Sequence, residues 1–150
     1  MTPMNTALES LAHECRLDAA DRADLRFAFG LSCVERIRHL LVEPRAIACL
    51  DVLKAYVEGE VAVGALTDAA SEMSEIANSH PGSSSIDGAA HAAVSATHAV
   101  AKALAGQALE AASYAAYATV YAYGGYAVND PASFEPEYQW QAATLRKMSI

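Results

Sequence analysis

The chain has 150 residues, 53% of them hydrophobic and 19% charged, with a formal net charge of -8 and a pI near 5.0. This length favours a single domain over residues 1–150, and the apolar content excludes a disordered chain. The acidic balance argues against partners such as nucleic acid or an anionic membrane surface, because it would repel their phosphate groups.

The N-terminal segment, residues 1–17, has no basic region followed by an apolar core. We therefore expect no signal peptide and a cytoplasmic location. Cys15, Cys33 and Cys49 are widely spaced and match no zinc-ligand pattern. Such cysteines are typical of free thiols in a reducing compartment.

Helical periodicity dominates from Asp18 to Gly59. Asp18 is the expected N-cap of a helix that runs to Val42, with one apolar stripe facing the core. Pro44 starts the next helix, because proline suits a first helical turn but cannot continue the preceding helix. Gly59 is the expected end of this second helix, whose apolar residues predict a central position.

The third predicted helix, Val61 to Asn78, carries an acidic strip of Asp68, Glu72 and Glu75 on one face. Residues 80–86 then predict a flexible surface loop, because they are rich in proline, glycine and serine.

Two alanine-rich helices are predicted between Ala89 and Ala122, with a turn at Gly106–Gln107. Alanine favours helix, and its small side chain lets two helices pack closely. The charge-free run Ala111–Val128 has almost no Leu, Ile or Phe, which favours a buried helix over a membrane span. A last helix capped by Ser133 completes an all-α, single-domain bundle of six to seven antiparallel helices with an alanine-rich hairpin.

Two histidines, His91 and His98, lie seven residues apart, with Asp87 one helical turn before the first. The spacings of three or four residues that helical metal sites use are absent. We favour histidines that pack against tyrosine rings of the neighbouring helix, and we predict no cofactor. The alternative is a helical protein that binds a metal or a small molecule through Asp87, His91 and His98.

Acid–base groups are present at His39, Asp51, Glu58 and Glu60. Asp51 and Glu58 fall on the polar side of an amphipathic helix, where solvated carboxylates are ordinary. No nucleophile elbow, P-loop or glycine-rich nucleotide motif occurs. We predict that the protein is not an enzyme.

Tyrosines concentrate in the C-terminal third of the chain. Tyr114, Tyr117 and Tyr121 form a helical stripe that predicts core packing, whereas Tyr123 and Tyr126 lie near irregular backbone. An aromatic anchor ringed by carboxylates suits recognition of a basic protein surface. The candidate partner-binding residues here are Tyr126, Asp130, Glu135, Glu137 and Tyr138.

The stretch Asp21–Val61 reads DRADLRFAFGLSCVERIRHLLVEPRAIACLDVLKAYVEGEV. It contains a Cys-x-Glu helix centre with a later histidine, a Pro-Arg start, and an aromatic residue before a Gly-Glu close. The corresponding residues are Cys33, Glu35, His39, Pro44, Arg45, Tyr56, Gly59 and Glu60. This pattern resembles the type 5 immunity proteins of bacterial polymorphic toxin systems. The alanine-rich helices and the Trp140-Gln141 pair extend the likeness over most of the chain.

The resemblance implies a small all-α protein that neutralises a cognate toxin by binding it. Together with the acidic balance, it predicts occlusion of a basic active-site surface on the toxin. The surfaces predicted to do so are the acidic strip and the tyrosine-bearing region. The alanine and tyrosine faces would also allow self-association into a homodimer.

Overall fold

The computed structural model describes residues 5–79 and 88–149 of the chain. In these two ranges it contains seven α-helices, four short 3₁₀ turns and no strand, which confirms the predicted all-α fold. The helices are α1 Thr6–Glu14, α2 Ala23–Glu35, α3 Pro44–Val57, α4 Val63–Asn78, α5 Gly88–Leu104, α6 Ala108–Tyr123 and α7 Glu135–Met148. The predicted loop at residues 80–86 and the candidate ligand Asp87 lie outside the described residues.

The first helix, α1, lies within residues 1–17, where the sequence pattern predicts no helix. Asn5 caps α1, since its side-chain oxygen accepts a hydrogen bond from the Leu8 N–H at 3.1 Å. Leu8 and Leu11 are buried and fix α1 to the core. The Asn5 amide also donates to the Gln141 side chain at 3.2 Å, so this cap joins α1 to α7.

The predicted N-cap at Asp18 is wrong, because α2 begins only at Ala23 after a 3₁₀ turn. The Arg26 guanidinium donates to the carbonyl oxygens of Leu17 and Ala19 at 2.7 and 2.8 Å and holds this connection in a non-helical path. The helix also ends earlier than Val42, at Glu35, and a second 3₁₀ turn follows.

Both predicted ends of α3 are confirmed. Pro44 stands in its first turn, and the Glu43 side chain caps the helix by accepting a hydrogen bond from the Arg45 N–H. Gly59 has a φ of +79° and ends the helix, with the Glu60 N–H donating to the Ala55 carbonyl at 2.8 Å. Asp51 and Lys54 are exposed, so α3 keeps a solvent-facing side.

The alanine-rich hairpin is confirmed as α5 and α6, joined at Gly106. α5 packs against α2, α3, α4 and α6, which places it at the centre of the bundle. A Cβ added at Gly30 in α2 would lie 3.4 Å from the Cβ of Ala103 in α5, so these two helices approach closely. The charge-free run is largely the buried helix α6, and no helix in the described ranges has the length and apolarity to cross a membrane.

A small second core joins the C-terminal half of α6 to the turns that follow it. The residues that form it are Ala116, Val120, Ala127 and Phe134. Asp130 caps the 3₁₀ turn Pro131–Phe134 by accepting a hydrogen bond from the Ala132 N–H, and α7 begins directly after it. The predicted cap at Ser133 is therefore wrong, because Asp130 starts the turn that leads into α7.

Candidate partner-binding surface

The acidic strip predicted on α4 faces solvent. Asp68, Glu72 and Glu75 are all exposed, while Leu66 and Met73 on the same helix are buried. Glu72 forms an ion pair with Arg45 of α3 at 3.3 Å. Both partners of this pair are solvent-exposed, so the pair contributes little stability. We call Asp68, Glu72 and Glu75 the α4 strip.

The second predicted binding region, between Tyr126 and Tyr138, contains both exposed and buried residues. Tyr126 is 77% exposed, and Asp130 and Glu135 are also exposed. Glu137 instead is buried, and its two carboxylate oxygens accept hydrogen bonds from the Arg36 guanidinium at 2.9 Å each. Glu137 therefore joins α7 to the end of α2 and is not free to contact a partner.

Arg36 lies at the junction of α2 and α7. Its guanidinium stacks over the Trp140 ring at 4.3 Å as well as pairing with Glu137. The hydrogen bond with Glu137 is the main reason that the pKa of Arg36 is raised. The charge of Arg36 is thus already neutralised by a partner within the fold.

Tyr138 is half-buried on the inner side of this region. Its ring packs against Phe134 with centroids 5.6 Å apart. Burial raises the pKa of the Tyr138 hydroxyl to about 12, with smaller contributions from Tyr117 and Glu135. The Tyr138 hydroxyl therefore stays neutral below about pH 12, and the Tyr138 ring packs against the small core rather than facing solvent.

Tyr123 is a further exposed tyrosine, and it is not among the binding residues that the sequence predicts. It is 57% exposed at the end of α6 and lies close enough to Arg36 to affect its pKa. Its position just before the helix-ending Gly124 is the sequence signal that would have included it. We call Tyr123, Tyr126, Asp130 and Glu135 the α6–α7 patch.

The two histidines pack as predicted. His91 stacks on Tyr121 with centroids 4.8 Å apart, and His98 stacks on Tyr114 at 5.3 Å. Within residues 5–79 and 88–149, no group of three or more His, Cys, Asp or Glu side chains is arranged to hold a metal ion. Those ranges therefore contain no third side chain that could bind a metal ion together with His91 and His98.

The tyrosine stripe on α6 packs between elements. Tyr117 contacts Phe134 edge-on with centroids 5.3 Å apart and stacks on Tyr121 at 5.9 Å. Tyr114, Tyr117 and Tyr121 are half-buried, so these rings cover the rim of the bundle.

The remaining candidate groups are structural or solvated. The three cysteines are free thiols, and burial raises the pKa of Cys33 and Cys49. Asp51 forms an ion pair with Arg38 at 2.7 Å on the surface.

Comparison with known proteins identifies the family. The sequence pattern of the family described as "Imm-5 like putative immunity protein" matches residues 16–148. No curated protein and no solved structure shows significant similarity to the chain. The match spans most of the chain and agrees with the resemblance carried by the Cys33-to-Glu60 pattern. The chain belongs to the Imm-5-like family of immunity proteins.

Proposed function

We propose that this protein protects its cell by binding a cognate bacterial toxin and covering the toxin's active site. Family membership is the observation that carries the proposal. The net charge of -8 supports a toxin with a basic surface, because opposite charges speed association and exclude other partners. The protein acts by contact and not by catalysis.

The α6–α7 patch is the surface that we favour for this contact. It combines two exposed tyrosines with the exposed carboxylates of Asp130 and Glu135. Binding energy in protein interfaces is concentrated in a few residues, among which tyrosine is frequent, and flanking charges mainly steer the encounter. The α4 strip has carboxylates but no exposed aromatic residue, so we assign it a steering role at most.

Co-expression tests the proposed function. Where a neighbouring gene encodes a large secreted protein, its C-terminal domain is the probe, produced with or without this chain. We expect growth to be restored only when both are present, and the purified proteins to form a complex. The toxin domain recovered from the complex should have an unchanged mass and regain its activity on release. Growth arrest despite abundant folded protein, with no complex formed, would refute the proposal. A covalently altered toxin would show a catalytic mechanism instead.

Charge reversal separates the two surfaces. Asp130→Lys with Glu135→Lys and Asp68→Lys with Glu75→Lys change the net charge equally, so each pair controls for net charge in the other. Because Asp130 also caps a turn, Asp130→Asn with Glu135→Lys, which leaves a side-chain oxygen for the cap, is measured beside the first pair. We expect the first pair to slow association more, and the difference to shrink at high salt as the charges are screened. Equal effects from both pairs would show that net charge alone, and not a particular surface, governs the encounter.

A further inference from the structure

The ring of Tyr126 rests directly on the backbone of Gly124. A Cβ added at Gly124 would lie 2.6 Å from Cε1 and 3.0 Å from Cδ1 of that ring. The φ of Gly124 is +142°, a conformation that residues with side chains rarely adopt. The backbone conformation therefore favours glycine at this position, and a side chain there would also displace the exposed ring of Tyr126.

The backbone on both sides of Tyr126 is also held. The Gly124 N–H donates to the Tyr121 carbonyl and the Ala127 N–H donates to the Gly124 carbonyl, each at 3.0 Å. Ala127 is 4% exposed and packs in the small core with Phe134. Tyr126 thus follows a fixed turn while its own side chain stays 77% exposed.

An exposed aromatic ring on fixed backbone is suited to act as a binding anchor. Ordering a segment at an interface costs free energy, and a side chain carried on backbone that is already fixed avoids part of that cost. Tyrosine is also the kind of residue found at energetic hot spots, because it buries a large apolar area and offers a hydroxyl. Tyr123, three residues earlier at the end of α6, is a second exposed tyrosine near this turn.

The surroundings of Tyr126 are anionic. Asp130 and Glu135 are exposed, and the carboxyl end of the 16-residue helix α6 adds partial negative charge next to Gly124. The nearby cation, Arg36, is paired with Glu137. A partner that covers Tyr126 is therefore expected to carry arginine or lysine side chains around the site that receives the ring.

We propose that Tyr126, held over Gly124, is the anchor that enters a pocket on the toxin whose rim is basic. This proposal rests on the proposed function and names the residue through which it acts. It also assigns Gly124 as a positioning residue, which orders the ring without contacting the toxin.

The test measures the Kd for the toxin domain used in co-expression, in an inactivated form. Tyr126→Ala should weaken binding by about 30-fold or more, the size that defines a hot spot. Tyr126→Phe keeps the ring and should bind nearly as tightly as the wild type. Gly124→Ala should weaken binding about tenfold or more although every contacting side chain is still present, because the ring must move.

Gly59→Ala is the matched control for Gly124→Ala. Gly59 also has a positive φ, of +79°, but no atom lies within 4 Å of a Cβ built there. Both variants place a side chain at a positive φ, but the φ of +142° at Gly124 is the more restricted, and only Gly124→Ala also displaces an aromatic ring. Gly124→Ala in the Tyr126→Ala background therefore measures the backbone effect without the ring, and we expect it to weaken binding no further than Tyr126→Ala alone. We expect Gly59→Ala to bind like the wild type, with circular dichroism showing that both variants are folded at the assay temperature.

Each outcome decides the proposal. If the wild type binds and protects while Tyr126→Ala binds equally well, the anchor is refuted and the proposed function stands. If the wild type neither binds nor protects, both fail. If Gly124→Ala binds like the wild type, Gly124 does not order the ring and its positioning role is refuted. If light scattering shows a dimer that Tyr126→Ala dissociates while toxin binding is unchanged, the ring contacts a second copy of this chain and the toxin assignment is overturned.

Discussion

The ion pair between Arg36 and Glu137 allows a quantitative test of how α2 and α7 are joined. Its two hydrogen bonds are both 2.9 Å long, and the side chains of Arg36 and Glu137 are 38% and 7% exposed. Because one partner is open to water and the other is buried, we expect the two single substitutions to differ in cost.

Arg36→Met leaves the Glu137 carboxylate buried without its partner. Breaking a fully buried pair in this way costs about 3–5 kcal/mol, and we expect about 2–3 kcal/mol here since water reaches the site from the Arg36 side. Part of this loss is the stacking on Trp140, worth about 0.5–1 kcal/mol at a partly exposed site. Glu137→Gln leaves a guanidinium that water and the new amide oxygen can solvate, so we expect a loss of about 1 kcal/mol.

Thermal and urea unfolding measure both changes. For a chain of this length, 1 kcal/mol lowers Tm by about 2–4 °C, so Arg36→Met should lower Tm by about 4–12 °C and Glu137→Gln by about 2–4 °C. The double variant Arg36→Met, Glu137→Met should be nearly as stable as the wild type, because apolar residues often replace a buried ion pair at little cost. Equal losses from the two single variants, or losses that simply add in the double variant, would refute the reasoning.

Ala99 is fully buried in the hairpin, so Ala99→Leu should lower the free energy of unfolding by about 1–3 kcal/mol in urea, and unchanged stability would contradict close helix packing. Burial raises the pKa of the Cys33 thiol, so a disulfide reagent should modify the part-exposed Cys15 faster than Cys33 in the native protein. Equal rates at the two cysteines would contradict the burial of Cys33. Burial raises the pKa of Tyr138 from 10.0 to about 12, so ultraviolet titration should show a tyrosine ionising near pH 12 that Tyr138→Phe removes. Because the fold favours the neutral hydroxyl, the stability that it contributes is present below pH 10 and is lost as the pH rises through about 12.

Local chemistry was sufficient to predict part of the fold. Pro44 and Gly59 mark the ends of α3, and Gly106 marks the turn of the alanine-rich hairpin, as predicted. These signals act within a few residues, so they need no knowledge of the rest of the chain. The stacking of His91 and His98 on tyrosines was also predictable, since both helices of a hairpin were visible in the sequence.

Caps were less predictable, because several residues of the right type compete for the same role. Asp18 and Ser133 have side chains suited to capping, yet α2 begins at Ala23 and Asp130 caps the turn before α7. The contacts of Arg26 with two carbonyl groups decide the first case. Tertiary contacts of this kind override local preference.

The sequence by itself determined an acidic, all-helical chain, its alanine-rich hairpin and its family. Only the tertiary structure decided which of the candidate side chains reach solvent. Glu137 and Tyr126 were both predicted to contact a partner, but Glu137 is buried and paired with Arg36, 101 residues away, whereas Tyr126 is exposed. Pairing between distant residues depends on how the helices pack, and helical periodicity shows which face of a helix is buried but not which residues of another helix that face meets.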